Sequence, residues 1–143
     1  VIVYLDTSAV VPLLVQEPST QICRRLWGEA DERVTSRLTF VETAAALAAA
    51  RRLGRLSQPE HDESWSIFVQ IWPEFDVVEV DRDLSESAAR MSSSLSLRGY
   101  DAVHCASAVA VDDETTIAAS GDGRLLAAWR ALELAVADTS AHD

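Results

Sequence analysis

Lysine is absent from this chain of 143 residues: all 12 basic side chains are arginine, set against 23 acidic ones, and the formal net charge is −11. That balance excludes adhesion to a polyanion through a diffuse basic surface, because the long-range force on a phosphate backbone is repulsive. Such a partner could be met only if acids gather around cations and a few arginines stand apart from the remaining negative charge. Cysteine is scarce. Cys23 and Cys105 have no metal-type spacing, and one pair in a reducing compartment does not specify a disulfide, so two buried thiols are expected. Long apolar runs are also missing. The longest near the start, Ala9 to Val15, contains Pro12 and lies between Asp6 and Glu17, too short for a membrane span or a secretory signal; a cytoplasmic protein with no membrane partner is expected. No repeat, linker or low-complexity tract interrupts the chain.

What is present suits an ordinary soluble domain. Apolar residues make up 48% and charged residues 24%, and the length fits one domain over residues 1–143. Val1-Ile2-Val3-Tyr4-Leu5 is continuous and β-branched, as expected of a strand buried on both faces of a parallel sheet. Thr7 and Ser8 then signal a short helix through Val15, and Pro18-Ser19-Thr20 opens another. Val34-Thr35 is a short strand, the alanine-rich stretch from Thr39 to Leu53 is a helix ended by Gly54, and Ser57-Gln58-Pro59-Glu60 forms a capping box for the next. Further on, Asp76 to Val80 is a strand and Asp83 or Ser85 caps a helix. Arg98-Gly99-Tyr100 is a break before a small-residue helix from Asp101 to Val111. Thr116 to Ala119 is a strand, Asp122 to Trp129 a helix and Leu134 to Ala137 the last strand. This alternation predicts an α/β fold with a mainly parallel sheet of four or five strands.

In such sheets ligands sit beyond the carboxyl ends of the strands. Asp6 follows the first strand, Asp122 follows the Thr116 to Ala119 strand, Asp101 opens a helix after a turn, and Glu42 lies in the first turns of the alanine-rich helix. Any one of these acids reads most simply as a cap for orphan N–H groups. As a set they suit a hard divalent cation such as Mg²⁺ or Mn²⁺, which takes oxygen ligands. Without a cation, two carboxylates about 4 Å apart repel by roughly 4 kcal/mol at an effective dielectric near 20.

Four short motifs then point to a family. Tyr4-Leu5-Asp6-Thr7-Ser8-Ala9 resembles the opening of PIN domains, and Val41-Glu42 with Arg52-Leu53-Gly54-Arg55-Leu56 resembles their second acidic element. Arg98-Gly99-Tyr100-Asp101-Ala102-Val103-His104-Cys105-Ala106 resembles the third, and Ser120-Gly121-Asp122-Gly123-Arg124-Leu125 resembles the fourth, with glycines flanking Asp122 as its loosest part. The likeness runs through nearly the whole chain and is strongest to the VapC toxins of type II toxin–antitoxin pairs. It implies a three-layer α/β/α fold and a metal-dependent endoribonuclease. In that reading Asp6, Glu42 and Asp101 bind Mg²⁺ or Mn²⁺, Asp122 binds a second ion or holds water, and Thr7, Ser8 and Ser120 brace the carboxylates. The implied reaction is in-line hydrolysis of an RNA phosphodiester, leaving a 5′-phosphate and a 3′-hydroxyl. The implied partners are a second copy in a homodimer and a VapB-like antitoxin whose C-terminal segment crosses the acidic groove.

Other features carry less. Asp101, His104 and Ser107 share a helix face, but a triad on one helix has poor geometry and no G-x-S-x-G elbow is present, so His104 is expected to orient a carboxylate or the helix start. His61 and His142 stand in no motif. Arg98 and Arg124 neighbour the proposed cleft and are the better candidates for substrate contact. The clusters Arg24-Arg25 and Arg51-Arg52 with Arg55 read as solvated faces. The four tryptophans have core spacing, and Asp112-Asp113-Glu114 reads as a solvated turn. A haloacid-dehalogenase-type phosphatase would need a second Asp where this chain has Ser8 and a lysine that it lacks; a receiver domain also wants the lysine. A non-catalytic PIN-like binding module is the third alternative, disfavoured by the presence of all four acids.

Overall fold

The structure, a computed structural model, describes residues 1–140. Five strands form one wholly parallel sheet: β1 (Ile2–Leu5), β2 (Glu32–Ser36), β3 (Phe75–Val78), β4 (Thr116–Ser120) and β5 (Ala135–Asp138), in the order β3-β2-β1-β4-β5. Helices α1 (Thr7–Val10), α2 (Thr20–Glu29), α3 (Leu38–Arg52) and α4 (Gln58–Ile71) supply the core of one face, and α5 (Arg82–Leu95), α6 (Gly99–Val111) and α7 (Gly123–Ala131) that of the other. The result is a three-layer α/β/α architecture. β1 runs through its centre, and its alternation divides it: Val3 and Leu5 join the core under α1 to α4, while Tyr4 joins the core under α5 to α7. Burial on both faces explains why this strand is apolar without interruption.

Local chemistry sets the ends of the helices. Asp6 is the N-cap of α1, its Oδ1 accepting from the Ala9 amide at 3.2 Å. The helix is shorter than Thr7 to Val15, tightening into a 3₁₀ turn over Val11–Leu13 where Pro12 has no amide hydrogen to continue the ladder. Gly54, at φ +76°, closes α3 in the left-handed region that a side chain resists. The expected capping box holds: the Glu60 amide donates to Ser57 Oγ at 3.2 Å, and the Ser57 amide donates to Glu60 Oε1 at 2.9 Å.

Three further boundaries differ from expectation. α5 is capped by Asp81, which accepts from the Leu84 amide at 2.9 Å, rather than by Asp83 or Ser85; Asp81 has the extended backbone a cap requires, and Asp83 falls into the first turn where the peptide dipole favours an acid. The break before α6 lies at Ser96, which is left-handed at φ 54°, and Gly99 and Tyr100 already belong to the helix. β3 ends at Val78, not Val80, because it pairs with β2 alone and the ladder stops where Ser36 meets Val78.

Aromatic residues divide between the two cores. Trp129 is fully buried and meets Tyr4 edge to face at 5.9 Å, whereas Trp27, Phe40, Trp65, Phe68, Trp72 and Phe75 pack against one another on the opposite side. Cys23 and Cys105 are free and buried, and burial pushes both thiols up to about 11, so they stay protonated. Among the described residues no helix is long and apolar enough to cross a membrane. His61 bonds its neighbour Asp62, Asp113 caps its own turn through Thr115 and Thr116, and His142 lies outside the described residues.

Candidate functional site

The sheet order places β2 and β3 on one side of β1 and β4 and β5 on the other. The direction of winding therefore reverses between β1 and β4, and a crevice opens at their carboxyl ends, the position where parallel sheets take ligands. Asp6 leaves β1 at that rim, Ser120 ends β4 there, and Asp122 caps α7 with its Oδ1 accepting from the Arg124 amide at 2.8 Å. Asp101 sits in the first turn of α6, and Glu42 near the start of α3.

Asp6 is held on both oxygens. Ser8 Oγ donates to Oδ1 at 2.6 Å, and Ser120 Oγ donates to Oδ2 at 2.7 Å. Each hydroxyl is itself fixed, since the Gly121 amide donates to Ser8 Oγ at 2.8 Å and the Asp122 amide to Ser120 Oγ at 2.9 Å. Gly121 suits this close turn: a Cβ there would stand 3.2 Å from Thr139 Oγ1, tight enough that the threonine side chain would have to shift, and 3.6 Å from Ser8 Oγ. Burial raises the Asp6 carboxyl above its usual range, against the lowering effects of His104, Ser8 and Ser120.

Glu42 belongs to a second unit. Its Oε1 accepts from Thr7 Oγ1 at 2.8 Å and lies 2.6 Å from His104 Nε2, whose other ring nitrogen, Nδ1, is 2.8 Å from the Tyr4 hydroxyl. Oε2 has no donor among the described residues. Burial would raise Glu42, but the His104 hydrogen bond and charge and the Thr7 hydroxyl outweigh it, so the carboxyl is lowered and ionised. An ionised Glu42 only accepts, so His104 Nε2 carries the hydrogen. His104, expected to orient a carboxylate or the helix start, lies against Glu42, and Tyr4, which was not among the expected site residues, bonds its ring. The signal was available: a hydroxyl in a strand buried on both faces must find a polar partner.

Asp101 and Asp122 form a third unit. With Arg98, Tyr100, Gly123 and Arg124 they line a groove of about 550 Å³. Asp101 is only 7% exposed and accepts no hydrogen bond from the described residues. Burial raises its carboxyl, and the Asp122 and Asp6 carboxylates raise it further. The three units share one electric field, and the first and third meet where the Asp122 amide donates to Ser120 Oγ. Among the described residues, no three Asp, Glu, His or Cys side chains form a metal-binding group; Ser8 and Ser120 engage Asp6, and Thr7 and His104 engage Glu42, in hydrogen bonds. The donor chemistry nevertheless fits a hard cation: every candidate ligand is an oxygen, Glu42 Oε2 and the Asp101 carboxylate lack donors, and the rim carries unbalanced negative charge.

Asp101 yields a test of that charge. Its folded pKa lies above its unfolded value near 3.8, so the stability it supplies is fully present below 3.8 and is lost as pH rises through the folded value. The helix dipole at the start of α6 favours the anion by about 0.3–1 kcal/mol but does not cancel the burial and the two neighbouring acids. Asp101→Asn is expected to melt higher than the parent at pH 7 in chelator, by on the order of 3 °C, with the gap closing near pH 3. A lower melting point for the variant at pH 7 would show that the carboxylate is not penalised.

The remaining basic groups lie elsewhere. Arg24 and Arg25 are exposed midway along α2, Arg52 at the end of α3 and Arg55 in the turn that follows it, and Arg51 donates to Gln58 at 2.8 Å. Arg98 and Arg124 alone among the arginines line the acidic groove.

Comparison with known proteins places this arrangement. The PIN domain family profile matches residues 3–128. The chain is 37% identical over 124 residues to ribonuclease VapC45 of Mycobacterium tuberculosis, covering 87% of this chain and 86% of that protein. Among solved structures, FitAcB from Neisseria gonorrhoeae superposes with a TM-score of 0.73 at 19% identity, covering 98% of this chain and 99% of that one. A toxin-antitoxin complex from Klebsiella pneumoniae superposes with a TM-score of 0.67 at 13% identity, covering 96% and 97%. At those identities the two structures speak for the fold alone. With its three-layer parallel sheet, its acids at the winding reversal and a profile match over most of its length, this chain belongs to the PIN-domain family and groups with the VapC ribonucleases.

Proposed function

We propose that this chain is a Mg²⁺- or Mn²⁺-dependent endoribonuclease, the toxin of a VapBC-type toxin–antitoxin pair, with residues 1–143 acting as one PIN-like domain. The observation that carries the reading is Asp101, a buried carboxylate without a donor, pressed by Asp122 and Asp6 at the ligand-binding rim of a chain related to ribonucleases. A cation is the partner that turns this repulsion into attraction.

Asp6, Glu42 and Asp101 would hold the ion, and Asp122 a second ion or a water. When bound, the metal supplies an attacking water of lowered pKa and neutralises charge on the phosphate. The chain's own residues prepare that geometry. Ser8 and Ser120 fix the plane of the Asp6 carboxylate, Thr7 and His104 occupy Glu42 Oε1 and leave Oε2 free, and Arg98 and Arg124 meet the RNA phosphates at the groove. The partners proposed are an RNA substrate, a second copy in a homodimer, and a VapB-like antitoxin, in keeping with the toxin-antitoxin complexes that share the fold. The net charge of −11 suits an antitoxin segment that brings basic side chains, and a cytoplasmic location follows for a toxin of RNA.

Metal removal tests the reading. The purified protein should cut total RNA with Mn²⁺ or Mg²⁺, lose that activity in EDTA, and recover it on metal return. Cleavage indifferent to chelation would end the proposal, and turnover of a small phosphate monoester in place of RNA would favour the phosphatase alternative.

A further inference from the structure

The chain has nine aromatic side chains, and eight have a place in the cores. Tyr4 and Trp129 pair beneath α6 and α7, and the three phenylalanines and the other three tryptophans form one cluster of edge-to-face and tilted rings on the opposite side of the sheet. Tyr100 alone is exposed, at 45%, and makes no ring contact with another aromatic residue. Its position is not that of an arbitrary surface residue. It is in the first turn of α6 next to Asp101, and it lines the groove that also holds Asp122, Arg98 and Arg124. Its hydroxyl accepts from an Arg98 guanidinium nitrogen at 2.9 Å, which tethers the edge of the ring. Nothing in the packing of α6 requires a ring here, because the buried face of that helix is made by Ala102, Cys105, Ala106 and Ala108.

We propose that Tyr100 is a stacking platform for one unpaired nucleobase of the RNA strand, seated beside the acids of the groove, with Arg98 bracing the ring and Arg124 meeting the adjoining phosphate. The inference rests on the ribonuclease reading and adds to it a nucleobase subsite. A base stacks on an aromatic face without regard to its hydrogen-bonding edge, which suits a platform with no polar groups of its own beyond one tethered hydroxyl. The overall negative charge makes such a contact necessary. Two arginines against the repulsion of a chain at −11 hold phosphate weakly, and stacking adds affinity that salt does not screen. It also selects for single strands, since bases within a duplex are already stacked on one another.

The test uses Asp6→Asn protein, so that RNA is bound but not cut, and mixed-sequence single-stranded oligoribonucleotides carrying 2-aminopurine in place of adenine. Binding is expected to quench 2-aminopurine emission. Tyr100→Ala in that background should lose the quench and bind about tenfold more weakly, whereas Tyr100→Phe, which keeps the face and drops the hydroxyl, should retain the quench and lose little affinity. Circular dichroism melts check that each variant is folded, and the Phe variant reports on the ring even if the Ala variant is not. Equal quench and affinity for Ala and Tyr would overturn the subsite, as would a Phe variant as weak as Ala. The ribonuclease reading fails separately, if protein with Asp6 and Tyr100 intact does not cut RNA when given Mn²⁺; RNA cut by that protein at full rate after Tyr100→Ala removes the platform alone.

Discussion

Asp6→Asn is expected to lower RNA cleavage by at least about 10³-fold, roughly 4 kcal/mol of barrier, while leaving the fold intact. The argument rests on what asparagine keeps. Its carbonyl oxygen can still cap α1 through the Ala9 amide and accept from Ser8, and its amide can face Ser120 Oγ in place of the carboxylate that accepted from it. What it loses is one negative charge at the centre of the rim, the position from which Asp6 acts on both Asp101 and the cation. The melting temperature should therefore stay near the parent's or rise, since a buried charge has been removed. Single-turnover cleavage with Mn²⁺ and a calorimetric melt measure the two effects side by side. Residual activity within tenfold of the parent would remove Asp6 from the metal-binding set, and a collapse of the melt would assign its role to structure.

Trp129→Ala carries the largest expected loss of stability. The indole is fully buried, stacks edge to face on Tyr4 and donates from Nε1 to the Cys105 carbonyl at 3.4 Å, so it ties α7 to β1 and to α6. Truncation leaves a cavity between three elements, at a cost of about 3–5 kcal/mol and a fall in melting temperature on the order of 10 °C. Trp72→Ala, in the half-buried cluster, should cost less. If the two variants melt alike, the core under α7 is more adaptable than its packing implies. Because Tyr4 bonds His104, the Trp129 variant should also loosen the Glu42 unit, and a weaker response to Mn²⁺ in the folded protein is the accompanying sign.

The fold was legible where burial imposes a pattern. β1 could be read because both of its faces are covered, and α4 because Ser57 and Glu60 spell out its capping box. The termini of β3 and α5 were not, since an edge strand ends where its neighbour ends and either Asp81 or Asp83 satisfies the local rules for a cap. The candidate acids could be listed from their places after strands and at helix starts, but their state could not. No linear pattern shows that Ser120, 114 residues away, holds Asp6 from the side opposite Ser8, or that Asp101 is left without a donor, because these facts depend on the tertiary fold. Tyr4 is a different case: as part of an apolar run it reads as core, although a hydroxyl in a strand buried on both faces must find a polar partner, and only the approach of His104 reveals which one.

α6 gathers much of the rim into a single element. Along one short rod it carries an aromatic face turned to solvent, an acid at the rim, an imidazole gripping the acid of another helix, and the carbonyl that anchors the Trp129 indole. A slip of this rod by a single residue, about 1.5 Å, would misplace all four at once. Any ligand that nudges α6 lengthwise would therefore silence the rim as a whole, without ever covering it.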